Sequence, residues 1–186
     1  MQTLCAYEGN HLLIGSEVKI RTLREEDLKK FYLLSTDYTD AGEYMPVSLQ
    51  SYSDYQQEFD RNGFWRDHAG RLAIENDTGD LVGEVGLFRT AHYMDGRELY
   101  YRVFQNFRRK GYAREALRLL VSFFFESSSC NRLQAVVIQG NTVSANMLST
   151  MGFKQEGTMR SARWFKGRLV DLDVYSYLRS EWAHNK

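Results

Sequence analysis

From Glu17 to Leu23 the chain reads EVKIRTL, apolar and polar residues in alternation, the pattern of a strand with one face in a core and the other in water. The next stretch, REEDLKKFYLLS, changes period: Leu28, Phe31, Tyr32 and Leu34 recur at roughly helical spacing. A second helix is predicted over Ser53 to Asn62, with Ser53 as cap, Tyr55, Gln56 and Phe59 on one face, and Asn62-Gly63 as the stop. Two alternating runs, RLAIEND and LVGEVGLFR, flank the turn residues Asp77, Thr78, Gly79 and Asp80 and predict a β-hairpin. A further run, Arg97 to Val103, extends that sheet.

Beyond it, Ala113, Ala116, Leu117, Leu120 and Phe124 recur every three or four residues and predict a helix from Gly111 to about Ser127. Arg132 to Gln139 reads as a strand whose central Ala-Val-Val-Ile run predicts burial on both faces. Asn141 or Thr142 opens a short helix that Gly152 closes. Two last alternating stretches surround Lys166-Gly167-Arg168 as a hairpin. The order is strand, two helices, three-stranded meander, helix, strand, short helix and hairpin. That predicts an α+β or mixed α/β fold with a central, largely antiparallel twisted sheet flanked by helices, not a doubly wound one.

Composition narrows the class. The 186 residues are 43% hydrophobic and 14% aromatic with one proline, as in a folded globular chain, and the length suits a single domain over 1–186. Lys plus Arg balances Asp plus Glu at 24 each, so no general attraction to nucleic acid or anionic membrane is expected and any basic site must be local. Cys5 and Cys130 form no CxxC pair, and the four histidines, His11, His68, His92 and His184, show no HExxH spacing, so no metal is expected. Neither a basic leader nor a membrane-length apolar run is evident, and the chain is expected to be soluble and cytoplasmic. Asn76-Asp77-Thr78 matches a glycosylation acceptor but is read as a turn.

One stretch stands out chemically. RRKGYAREAL, residues 108 to 117, sets Arg108, Arg109, Lys110 and Arg114 around Gly111 and Ala113 where the chain enters a helix. A helix N-terminus offers backbone N–H groups and the positive end of the macrodipole, and small residues leave that backbone open to phosphate or pyrophosphate. The other phosphate-binding patterns, GxxxxGK[ST] and a GxGxxG after a strand, are absent, as is the GxSxG elbow of serine esterases.

ELYYRV followed by QNFRRKGYAREAL, a strand, and NTVSANMLSTMGF resembles the GNAT superfamily of acetyl-CoA-dependent N-acetyltransferases. It is most similar to the Rim-type group, which modifies ribosomal-protein N-termini and small amines. EVKIRTLREEDL, LVGEVGL and EGTMRSARWFKGRLVDLDVYSYLRSEW extend the resemblance over most of the chain. Arg108, Gly111 and Ala113 meet the family's [QR]xxGx[GA] pattern, which implies that the amides of this turn, Tyr112 among them, hold the coenzyme A pyrophosphate. The resemblance further implies that Val103, with Phe104 and Gln105, pairs its backbone with the pantetheine arm as with an added strand. It implies also that Asn141, a helix cap in its own right, bonds the pantetheine, with Ser144 and Asn146 near the thioester sulfur.

Two positions depart from the family. Where many members carry a tyrosine that protonates the departing thiolate, this chain has Leu148, which leaves Ser144 or water for that task. Where some Rim-type relatives carry a glutamate base, alignment through Gly152-Phe153 places Arg163, which accepts no proton. Glu98 and Glu84 are the remaining candidate bases, each with a plainer reading as an exposed strand residue. The implied partners are acetyl-CoA and a primary amine, a protein N-terminus or a small molecule. Tyr44 and Met45 of the loop from Tyr38 to Ser53, Trp164 of the C-terminal hairpin and Trp65 are the expected acceptor contacts of a monomer or homodimer. The competing class is a catalytically silent module that binds coenzyme A or a peptide.

Overall fold

The computed structural model describes residues 12–184 apart from 38, 40–42 and 46–48. They form two compact units, each a mostly antiparallel sheet with helices, the mixed class the alternation predicts. One unit takes in the described residues up to Leu87 together with Tyr101–Phe124; the other takes in Phe88–Tyr100 and the described residues from Phe125 onward.

In the first unit strands β1 (Leu12–Ile14), β2 (Val18–Thr22), β4 (Ala69–Asn76), β5 (Leu81–Arg89) and the end of β6 (Gly96–Val103) lie side by side in that order, with β3 (Trp65–Arg66) paired to β4. Strand β2 is positioned by its apolar alternation: Val18 and Ile20 are buried, and Ile20 pairs with Ile74 of β4. The β4–β5 turn is held by Asn76, whose buried Oδ1 accepts from Asp80 N at 2.7 Å and Thr78 Oγ1 at 2.8 Å. Gly83 of β5 is required by close approach: a Cβ there would lie 2.2 Å from the carbonyl oxygen of Arg102.

Helices α1 (Leu28–Thr36) and α2 (Tyr52–Asn62) share an aromatic core with the sheet, built on Phe31, Tyr55, Phe64 and Phe104. Helix α2 starts earlier than the expected Ser53 cap: Ser51 is the cap, its Oγ accepting from Asp54 N at 3.0 Å. Both serines fit the capping preference, and only the one in extended backbone can do it. Gly63 ends the helix in the left-handed region, as expected. Arg21 of β2 is buried and bonds Asp27 at 2.7 Å and Glu75 at 2.8 Å, while Asp27 also accepts from Arg24 N at 2.7 Å. This pairing ties the 3-10 turn Glu25–Asp27 to the sheet, and losing one partner of such a buried pair costs about 3–5 kcal/mol.

Helix α3 (Tyr112–Ser127) begins in the first unit and presents Ala116, Leu117, Leu120 and Phe124, all fully buried, at the expected spacing.

In the second unit the order is β6, β7 (Arg132–Ile138), β9 (Arg168–Leu178), β8 (Lys154–Phe165), with β6–β7 parallel and the others antiparallel. Tyr177 packs on Phe125 and Phe153 with ring centroids 6.2 and 5.1 Å apart. Lys166 (φ 47°) and Gly167 (φ 81°) make the two-residue turn whose positive φ values match the twist of a hairpin. Strand β8 is exposed along nearly its whole length and irregular in register at Gln155/Gly157 and Met159/Arg163. Helix α4 (Thr142–Thr150) follows β7, and α5 (Arg179–His184) follows β9. The Arg179 guanidinium donates to the carbonyls of Phe125, Ser128 and Cys130 and lies over the Phe125 ring at 5.3 Å.

Candidate active site

In the first unit the candidate anion site grows out of β6. The Phe104 amide donates to Val82 O at 2.9 Å, and its ring is buried edge-on to Phe31 at 5.8 Å. Val103, the alternate residue, points its polar groups to the other edge of the strand, where its carbonyl accepts from Arg108 Nε at 2.9 Å. Gln105–Phe107 form a 3-10 turn, and Lys110 Nζ lies 5.7 Å from the Phe107 ring centroid.

Arg109 (φ 65°) and Gly111 (φ 84°) both adopt left-handed backbone, and the two turn the chain into α3. A Cβ built on Gly111 meets nothing within 4 Å, so the space beside this backbone is open. The first helical hydrogen bond runs from Glu115 N to Gly111 O at 3.2 Å, and the amides ahead of it have no carbonyl one turn back inside the helix. An exposed backbone cradle with four cations in the same short stretch fits a pyrophosphate without a metal.

The first turn of α3 also carries an acid that periodicity did not single out. The Glu115 carboxylate turns back to the β1–β2 turn, accepting from the Ser16 amide, from Ser16 Oγ at 2.9 Å and from Glu17 N at 3.1 Å. Three donors thereby hold that carboxylate on the β1–β2 turn. The signal in the sequence was an acidic residue in the first turn, which helix electrostatics favours for other reasons.

Glu84 lies in the same unit on β5, opposite Ala73, and is 5% exposed. It is not the exposed strand residue that a lone glutamate suggests. Trp65 pairs with Gly70 in the β3–β4 hairpin and is half-buried, as are Tyr44 and Met45. The rest of the expected acceptor loop at 38, 40–42 and 46–48 lies outside the described residues.

In the second unit Asn141 caps α4, its Oδ1 accepting from Ser144 N at 3.2 Å. Ser144 is half-buried and Asn146 exposed, whereas Leu148 is fully buried. Arg163 is exposed on β8 opposite Val170, and Trp164 is 68% exposed. Glu98, on β6, is half-buried and accepts from Gln134 Nε2 of β7 at 2.8 Å. Further along that sheet Arg132 grips Glu156 through two bonds of 2.7 and 2.6 Å, and Ser176 Oγ donates to Glu156 at 2.7 Å. These bonds, the Arg132 pair foremost, hold the Glu156 carboxyl down to about 2. Among the described residues no cluster of His, Cys, Asp and Glu could hold a metal ion, and no helix is long and apolar enough to cross a membrane.

The acetyltransferase (GNAT) domain pattern matches residues 17–154, spanning the β6–α3 turn, the α4 cap and both candidate carboxylates. The chain belongs to the GNAT acetyltransferase family. It is 30% identical over 169 residues to the uncharacterised N-acetyltransferase p20 of Bacillus licheniformis, covering 87% of this chain and 94% of that one. It is 26% identical over 185 residues to the putative ribosomal N-acetyltransferase YdaF of Bacillus subtilis, covering 93% and 97%. Among solved structures, the GNAT fold of this chain matches the spermidine N-acetyltransferase of Vibrio cholerae in complex with CoA and spermine. The TM-score is 0.81 at 18% identity, over 91% of this chain and 99% of that one.

Proposed function

We propose that the protein moves an acetyl group from acetyl-CoA to a primary amine, of a protein N-terminus or a small molecule, by direct attack with both substrates bound. The observation that carries this reading is the Gly111 turn, left-handed and open beside its backbone at the start of α3. Acetyl-CoA supplies the acyl group as a thioester. Arg108 to Arg114 hold its pyrophosphate, the backbone of Val103 to Gln105 aligns its arm, and Asn141 and Asn146 bond it from α4. Asn141 can do so through Nδ2 while Oδ1 keeps the cap.

Glu98 takes the amine's proton directly or through one water, with Glu84 the alternative base. Glu98 is the better supported of the two because it is partly exposed, whereas Glu84 is enclosed in β5. Ser144 gives a proton to the departing thiolate. Leu148, enclosed in the core one turn later, donates nothing, and a tyrosine grafted there would have to overpack. Tyr44, Met45, Trp65 and Trp164 contact the acceptor. The buried Leu148 and exposed Arg163 are also what favours the second reading, a module that binds coenzyme A without turnover.

An assay for released thiol separates the two. The panel is peptides beginning with Ala, Ser, Thr or Met, as the likeness to a putative ribosomal acetyltransferase suggests, together with small primary amines including spermidine and spermine. Thiol release above hydrolysis with any of them supports the enzyme. Tight coenzyme A binding with no release from the whole panel supports the module.

A further inference from the structure

We propose that Gln134 is a positioning residue for Glu98, fixing the carboxylate that takes the proton; the inference rests on the reading of Glu98 as the base. Strands β6 and β7 run parallel with Glu98 in register with Gln134, which puts the two side chains on one face of the sheet as immediate neighbours. Gln134 is 8% exposed, and a buried amide costs free energy unless it is bonded. Its Nε2 meets that need by donating to Glu98 Oε2 at 2.8 Å. The bond ties down one carboxylate oxygen, Oε2, and leaves Oε1 for the proton.

The residue type matters as much as the distance. An amide donates without carrying charge, so it sets the direction of the carboxylate and does not bind it into an ion pair as lysine or arginine would. It also never competes for the proton being moved. On its far side Gln134 stands in register with Ser176 of β9, whose hydroxyl goes to Glu156, and Glu156 is gripped by Arg132, two residues from Gln134 on the same strand face. A row of polar side chains thus crosses the sheet and ends on Glu98. Alternation along β7 could not single out Gln134, because a glutamine on a strand is ordinarily an exposed spacer.

The test is a double-mutant cycle in the thiol-release assay, using acetyl-CoA and the best acceptor of the panel above. Gln134→Met keeps the length of the side chain and removes the donor; Gln134→Glu keeps the shape and replaces the donor with an acceptor. Each is expected to lower kcat by about tenfold with KM for acetyl-CoA unchanged, and Gln134→Met is expected to cost less than about twofold when Glu98 is already Gln. Melting midpoints of all variants are recorded alongside. Equal losses in both backgrounds, or no loss from either substitution, overturn the positioning role while leaving Glu98 as base. A parent rate in Glu98→Gln, or no turnover of any acceptor by the parent chain, removes the base reading and this one with it.

Discussion

The turn at Arg108 to Ala113 and the polar row that ends on Glu98 are built from opposite parts of the chain. The turn offers backbone: its requirement is a left-handed residue with nothing beside it, and Gly111 supplies that by having no side chain. The row offers side chains, each placed by the register of its strand. A backbone site can be destroyed by adding atoms and tolerates much variation in the cations around it. A side-chain site can be destroyed by exchanging one atom for another of the same size. The two regions therefore fail differently, and that difference can be measured.

The largest effect is expected at the side-chain site. Glu98→Gln keeps size and hydrogen bonding but accepts no proton, so turnover at saturating amine should fall by about ten- to a thousandfold at pH 7. The loss should shrink as pH rises through the amine's own pKa, about 7.7–8.0 for an α-amine, because the acceptor then arrives deprotonated. A pH profile beside that of Glu84→Gln checks this. A large, pH-dependent loss in the second and a small flat one in the first would move the role to Glu84.

At the backbone site, coenzyme A should stabilise the parent by about 2.7 kcal/mol at a hundredfold excess over its dissociation constant. Gly111→Glu should abolish that, filling the open space with a like charge. Gly111→Ala separates strain from charge: it should lower the ligand-free melting midpoint, since alanine pays for positive φ, yet keep most of the ligand-induced shift. A full shift in Gly111→Glu would place the anion elsewhere.

Ser144→Ala should lower turnover by about tenfold while leaving the coenzyme A dissociation constant unchanged, measured by calorimetry. A parent rate would assign the leaving-group proton to water.

The smallest effect concerns the far end of the row. Glu156 is held down to about 2, so its contribution to stability is present above the ordinary carboxylate range and is lost as pH falls from about 4.5 towards 2. Its side chain is 45% exposed, and solvent screening keeps that contribution to about 1 kcal/mol or less. Glu156→Gln should flatten the fall in melting midpoint over this window. An unchanged acid limb would mean that the Arg132 pair adds nothing.

What the sequence revealed follows the same division. The β4–β5 hairpin, α3 and the β8–β9 turn were legible because each is specified locally, by alternation, by helical spacing, or by turn residues such as Asp77-Thr78-Gly79 and Lys166-Gly167. The glycine turn into α3 was legible for the same reason. Strand β3 was not, because two residues carry no period, and its turn at Asp67 and His68 has positive φ without a glycine. Strand β1 and helix α5, of three and six residues, are also too short to show a clear period. Glu115 and Gln134 escaped notice because their roles depend on partners 99 and 36 residues away, distances over which no local pattern holds information. The burial of Glu84 has the same cause: its surroundings come from the neighbouring strand.

Strand β8, last in its sheet among the described residues and exposed on both faces, bears on how the protein behaves in a crowded solution. An open edge of twelve residues is a template on which another chain could lay a strand and begin an aggregate. Lys154, Glu156, Arg160 and Arg163 place charge along it, and the register shifts at Gln155/Gly157 and Met159/Arg163 interrupt its straight ladder. An incoming strand would have to desolvate those charges and match two irregularities at once. The same irregular edge that leaves Trp164 in water thus acts as a guard against fibrous self-association.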